Sequence, residues 1–134
     1  MSDYKLEEEF LNKLAEAYKT YDISPIKDLI ADDFSYSSFW VWDELKGKET
    51  YLNYFAGKLE TMKKSNVKND FIIMYCEGDG KPVLMCSQKT EEGDRGVFVI
   101  DSSEIKKLNI MPASFYSLKP KDEKEYKEFI HKYN

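Results

Sequence analysis

The sequence predicts one α+β domain, with helices packed on one face of a curved antiparallel sheet and an added helix at the C-terminus. Three observations predict it. Apolar residues recur at helical spacing in the first third, at two-residue spacing around Phe34 to Ser38, and in four strand-like runs after Asn69. Those last runs are joined by links too short for anything but hairpins. A final apolar stripe at helical spacing closes the chain.

Each element has its own justification. Leu6, Phe10, Leu14 and Tyr18 recur every fourth residue among charges, predicting a helix from about Asp3 to Thr20. Glu7, Glu8 and Glu9 sit near its start, where the helix dipole favours anions. In "DISPIKDLIADDF", Ser24 suits an N-cap and Pro25 the first helical position, turning Ile26, Leu29 and Ile30 inward. From Phe34 the period becomes two: Phe34, Tyr36 and Ser38 share one face, Ser35 and Ser37 the other. "SFWVW" does not alternate cleanly, which predicts a break or bulge near Phe39. After a turn at Gly47, the spacing of Leu52, Phe55, Ala56, Leu59 and Met62 predicts a third helix ending near "KKSN". Strands follow at "DFIIMYCE", "KPVLMCSQKT", "RGVFVIDS" and "EIKKLNIMPAS", punctuated by "GDGK", "EEGD" and "DSSE". Tyr126, Phe129, Ile130 and Tyr133 form the stripe of the last helix. The order is α-α-β-β-α-β-β-β-β-α.

Composition narrows the function classes. The 134 residues suffice for one core, and 42 % hydrophobic with 34 % charged residues is a globular balance. A net charge of -5, with no cluster of Lys or Arg interleaved with aromatics, argues against nucleic acid as a partner. The apolar runs are far shorter than a membrane span, and "MSDYKLEEEFL" has no export-signal core, so a cytoplasmic protein without a membrane partner is expected. Cys76 and Cys86 fall inside strand-like runs and read as free thiols of a reduced compartment, with a cross-strand disulfide as the alternative. Two Cys and one His cannot build an ordinary zinc site without carboxylates, and no metal or cofactor is expected. No glycine-rich phosphate loop and no nucleophile elbow is present.

"LIADDFSYS", then Gly47 in "LKGKETYLNYF", then the four strands, in this order and spacing, resemble the nuclear transport factor 2-like superfamily, also called cystatin-like or SnoaL-like. The resemblance covers about Leu6 to Met111. It implies a cone-shaped sheet wrapped around the first helix and enclosing a pocket. The domain would be the whole chain, residues 1–134, with a core of about 4–113 and a helical extension of about 120–133. It implies no single activity, since the superfamily holds isomerases, dehydratases, epoxide hydrolases, cyclases, carriers and association domains, so function must be argued from the site. Members commonly dimerise through the outer face of the sheet, and a homodimer is expected.

Aligned without gaps to the ketosteroid isomerases of the superfamily, the general base falls at Ser38 and the oxyanion-hole tyrosine at Leu14. Neither can do that work, so isomerase-type catalysis is not expected. The lone His131 lies on the C-terminal helix beyond the core, which also removes a His-Asp device. The acids left are Asp43 and Glu44 near a strand end. Together with Tyr18 they are the candidates for a lyase, isomerase or hydrolase reading. Asp32 and Asp33 read as braces of a turn; Asp101 and Asn109 as turn or surface residues or polar pocket contacts.

The aromatic excess, 15 % of the chain, is the other lead. Leu14, Tyr18, Phe34, Tyr36, Ser38, Trp40, Trp42 and Phe55 are expected on the pocket side, and Tyr75, Met85 and Phe98 on its far wall. These side chains either fill the cone or line a pocket for a small hydrophobic or aromatic ligand, bound without catalysis. The alternative is a regulatory or immunity-like domain acting through a sheet surface. The direction of Trp40 and Trp42 discriminates: inward favours a ligand, outward a protein partner. The last helix is expected to lid the cone or to meet a second subunit.

Overall fold

Helix α1 (Lys5–Thr20) begins the domain, and its stripe of Phe10, Leu14 and Tyr18 is buried, while Leu6 is exposed. In this computed structural model residues 4–93, 95–103 and 106–131 are described, except the side chains of Val41, Trp42, Arg95 and Ser103. The expected helix start at Asp3 and the Tyr133 of the last stripe lie outside the described residues. Tyr21 ends α1 in the left-handed region (φ 56°), and its hydroxyl donates to the Val67 carbonyl at 2.7 Å, tying the helix to the middle of the chain.

Helix α2 (Ser24–Lys27) is one turn. The Asp22 carboxylate accepts from the Ser24 N–H at 3.0 Å, so Asp22, rather than Ser24, holds its start. Ile26 and Ile30 are buried as expected, but Leu29 is exposed. Strand β1 (Ser35–Ser38) and strand β2 (Val41–Lys46) form a hairpin that turns at Phe39 and Trp40. Gly47, at φ 97°, then turns the chain into α3 (Lys48–Lys64).

The remaining strands are β3 (Lys68–Cys76), β4 (Pro82–Lys89), β5 (Arg95–Ser103), β6 (Lys107–Pro112) and β7 (Leu118–Pro120), the last reached through a 3-10 turn at Ala113–Phe115. They complete one curved, unclosed sheet in the order β2-β1-β6-β5-β4-β3-β7. The sheet is mixed, which corrects the purely antiparallel expectation: β1 runs parallel to β6, with Tyr36 beside Leu108. A crossover was invisible locally because α3 and four strands separate β1 from β6. Strand β7 was not expected either. Its three residues carry no pattern and gain their geometry from the edge of β3.

Alternation splits the sheet into two faces. Leu84, Ile100, Leu108 and Ile110 face α1 and join the main core with Phe10, Leu14, Tyr18, Phe34, Tyr51 and Phe55. Ile72, Met74, Val83, Met85 and Val99 face the other way, where helix α4 (Glu123–His131) covers them with Phe129 and the partly buried Tyr126 and Ile130. The last helix therefore does not lid the cone: it packs on the outer face of its own sheet. That also covers part of the surface through which a dimer was expected.

Candidate functional site

The cone interior holds most of the residues that the sequence placed there. Leu14, Tyr18, Phe34, Tyr36 and Phe55 are all buried. Their rings interlock: Tyr18 meets Phe55 at 4.9 Å between centroids, Phe34 meets Tyr51 at 4.8 Å, and Tyr51 stacks on Phe55 at 5.5 Å. Tyr36 contacts Tyr51 at 5.3 Å and the half-exposed Tyr54 at 5.4 Å. These side chains fill the cone around one another. Tyr51 was missed as a site residue. Its signal was its place one helical turn before Phe55.

The other expected residues are elsewhere. Trp40 stands at the hairpin tip, 58 % exposed, because the chain reverses where a continued strand would have turned it inward. The Trp42 backbone lies in β2, and its side chain is outside the described residues. Ser38 is half-buried beside the turn, its hydroxyl facing the Trp40 N–H at 3.4 Å. Met85 and Phe98 cannot share a wall: Met85 pairs with Val99, and Phe98 with Cys86, so they point to opposite faces. Phe98 packs against the main core, and Met85 lies under α4. Tyr75 reaches the rim of α1, donating to Glu8 Oε1 at 2.8 Å; burial, then this carboxylate, push its pKa up to about 12.

The chemistry open to the interior is limited. Burial pushes the phenols of Tyr18 and Tyr51 well above their ordinary range, and raises Tyr36, with Tyr54 adding to it. Such groups are neutral across physiological pH and are poor proton acceptors. Asp43 and Glu44 are exposed on β2, and Glu44 faces Lys46 at 3.9 Å. Asp101 is on the outer face, held by Lys81 Nζ at 2.7 Å and the Tyr116 hydroxyl at 2.9 Å. Asn109, also outer, accepts from Ser37. Burial raises the pKa of both thiols, Cys86 most, and they are unpaired as cysteines. Among the described residues no group of three or more His, Cys, Asp or Glu is placed to hold a metal. Nor is any described helix long and apolar enough to cross a membrane.

Two surface features stand out instead. At one end, Phe39, Trp40 and Phe115 expose 53, 58 and 59 % of their surface, with Phe39 edge-on to Trp40 at 5.6 Å and to Phe115 at 5.1 Å. At the other end of the sheet, a cleft of about 510 Å³ runs between α1 and β3, floored by Ala15, Phe71, Ile73 and Leu84. Sequence reading missed the cleft, because Glu8, Asn12, Glu16 and Lys19 look like an ordinary solvated helix face.

No family model and no curated protein matches this sequence. Solved structures do. One is a SnoaL-like protein of unknown function from Burkholderia thailandensis, 17 % identical, TM-score 0.54, covering 84 % of this chain and 94 % of that one. Another is an uncharacterized cystatin fold protein from Novosphingobium aromaticivorans, 15 % identical, TM-score 0.52, covering 82 % and 99 %. A third is SalBIII, an epoxide hydrolase/cyclase-like enzyme of pyran ring formation in polyether salinomycin, 12 % identical, TM-score 0.51, covering 83 % and 92 %. The chain thus has the nuclear transport factor 2-like, or cystatin-like, fold. At these identities the likeness is one of fold alone.

Proposed function

We propose that this chain is a non-catalytic protein-binding domain that works through its surface. The observation that carries this reading is the outward aromatic group of Phe39, Trp40 and Phe115, set against an interior already filled by its own rings. Large exposed rings gathered at one place are a poor arrangement for a monomer in water and a good one for a buried contact. The first occupant to test is a second copy of the chain, making a homodimer through this end rather than through the face that α4 covers. Sedimentation velocity across a concentration series should show concentration-dependent association. A Phe39→Ser/Trp40→Ser variant should stay monomeric. A wild type that sediments as a monomer throughout, just as the variant does, would remove self-association as the role of this end.

A second reading keeps the interior as a site for a small hydrophobic or aromatic molecule. It is favoured by Tyr51 and Ser102, whose buried hydroxyls face the core and have no hydrogen-bond partner. Native mass spectrometry of freshly purified protein should then show a bound mass that is lost on denaturation. A clean apo mass would count against it. A lyase, isomerase or hydrolase role for Asp43, Glu44 and Tyr18 is the least supported, because the two acids are exposed on β2 while Tyr18 is buried in the core.

A further inference from the structure

We infer that the free edge of β3, between α1 and α4, is a docking site for an extended cationic segment of another protein, added to the sheet as an extra strand. The inference rests on reading the domain as a binding module, but it uses the opposite end of the sheet from the aromatic group.

The edge is open over most of its length. β7 pairs only with Met74, Tyr75 and Cys76, so Lys68–Ile73 has a strand neighbour on the β4 side alone among the described residues. The direction of its backbone groups follows from two bonds. The Cys76 N–H donates to Lys81 on the β4 side at 2.9 Å, and the Glu77 N–H to Ser117 on the β7 side at 2.9 Å. Alternation then aims the N–H and C=O of Ile73 and Phe71 away from β4, toward the open side. An incoming strand would complete that ladder.

The two flanks supply places for alternate side chains. On the α1 side lies the 510 Å³ cleft, with Phe71, Ile73, Ala15 and Leu84 as its apolar floor. On the α4 side a smaller hollow of about 130 Å³ continues along the same strand beside Ile72 and Phe129. Charge selects the occupant. The carboxylates lining the two hollows are Glu8, Glu16, Asp70, Glu125 and Glu128. Lys19 and Lys121 line the larger cleft beside them, Lys13 faces Glu16 at 3.6 Å and Lys68 begins the edge itself, which still leaves the carboxylates in excess. A segment alternating basic and apolar residues matches this rim.

Asp70 makes the edge selective. Its Oδ1 accepts from the Phe71 N–H at 3.0 Å, standing in for the missing strand. A charge so placed discourages indiscriminate edge pairing. A lysine on the incoming segment would offer the carboxylate a new partner as the Phe71 N–H passes to the new strand.

The test uses the full chain and a short fluorescent peptide of alternating lysine and valine. Anisotropy should show saturable binding, and NMR hydrogen exchange should show slowing at the Ile73 amide. N-methylation of alternate peptide amides, in the register that faces β3, should weaken binding about tenfold or more, the loss of at least one amide–carbonyl bond. Glu125→Lys/Glu128→Lys, both on exposed positions of α4, should weaken it about tenfold by reversing the rim charge. Trp40→Ser should bind as wild type does, which separates this edge from the aromatic end. No binding, equal binding of a glutamate–valine peptide, indifference to N-methylation in both registers, or protection located at the aromatic end would each overturn the inference. So would edge-to-edge pairing of two copies in place of the peptide.

Discussion

The cone interior and the hairpin tip are built from the same residue types and end in opposite states. Phe34, Tyr36, Tyr51 and Phe55 interlock with almost no exposure, whereas Phe39 meets Trp40 and Phe115 edge-on at the surface and all three stay more than half exposed. The difference is made by the backbone. Around Tyr36 the strand is flanked by β2 and β6 and covered by α3, while two residues further on the chain reverses and carries its rings beyond the sheet. An aromatic side chain thus reports a core or a contact surface only once its register is known.

The sharpest way to break this comparison is to truncate one ring from each region. Phe55→Ala removes a fully buried ring that stacks on Tyr51 and meets Tyr18, and should destabilise the fold by about 3–5 kcal/mol. Trp40→Ala should change stability by no more than about 0.5 kcal/mol. Urea unfolding followed by far-UV circular dichroism measures both. A Trp40→Ala cost comparable with that of Phe55→Ala would mean that the hairpin tip belongs to the core.

The outer face of the sheet offers an intermediate case. Phe129 is the buried ring of α4 and packs against Ile72, Met74 and Val99. Phe129→Ala should cost about 3 kcal/mol. It should also increase binding of an environment-sensitive dye, since this apolar face loses its cover. An unchanged midpoint and dye signal would show that α4 contributes nothing to holding this face.

How much of this could be read beforehand depends on which interactions decide each element. The helices α1 and α3 and the strands β3 to β6 were legible because their apolar periodicity is local and long. The break at Phe39 was legible as a lapse in alternation, but not as a full reversal, because that depends on β1 pairing with both β2 and the distant β6. Met85 and Phe98 were assigned one wall because face parity depends on cross-strand register, which the hairpin lengths alone leave open. The open edge of β3 was illegible for a related reason: it exists only because β7 stops after three residues.

Titration reports on the buried phenols by a smaller effect. The folded pKa values of Tyr18 and Tyr51 are raised above the unfolded 10.0, chiefly by burial. Below about pH 10 both states keep these protons and stability is unaffected. As pH rises further the unfolded chain loses them while the folded chain holds them, so stability falls by about 1.4 kcal/mol per pH unit for each such tyrosine. Urea midpoints measured between about pH 9 and 11 should therefore drop steeply. A flat profile would mean that water reaches these phenols.

The smallest effect is also the one that decides between the two readings of the interior. The Tyr51 hydroxyl is buried and has no hydrogen-bond partner. If the cone is simply a core, Tyr51→Phe removes a desolvated polar atom while keeping the ring against Phe34 and Phe55, and should leave stability unchanged or raise it by about 1 kcal/mol. If instead the hydroxyl serves a small guest, the same change should lower the affinity for that guest and leave the aromatic end untouched. Measured on one variant, a raised unfolding midpoint with no change in any co-purifying mass argues for a filled cone, and hence for surfaces as the working parts of this fold. A lowered midpoint, together with loss of a bound mass, argues that the hydroxyl is paired with a guest and that the interior is the site.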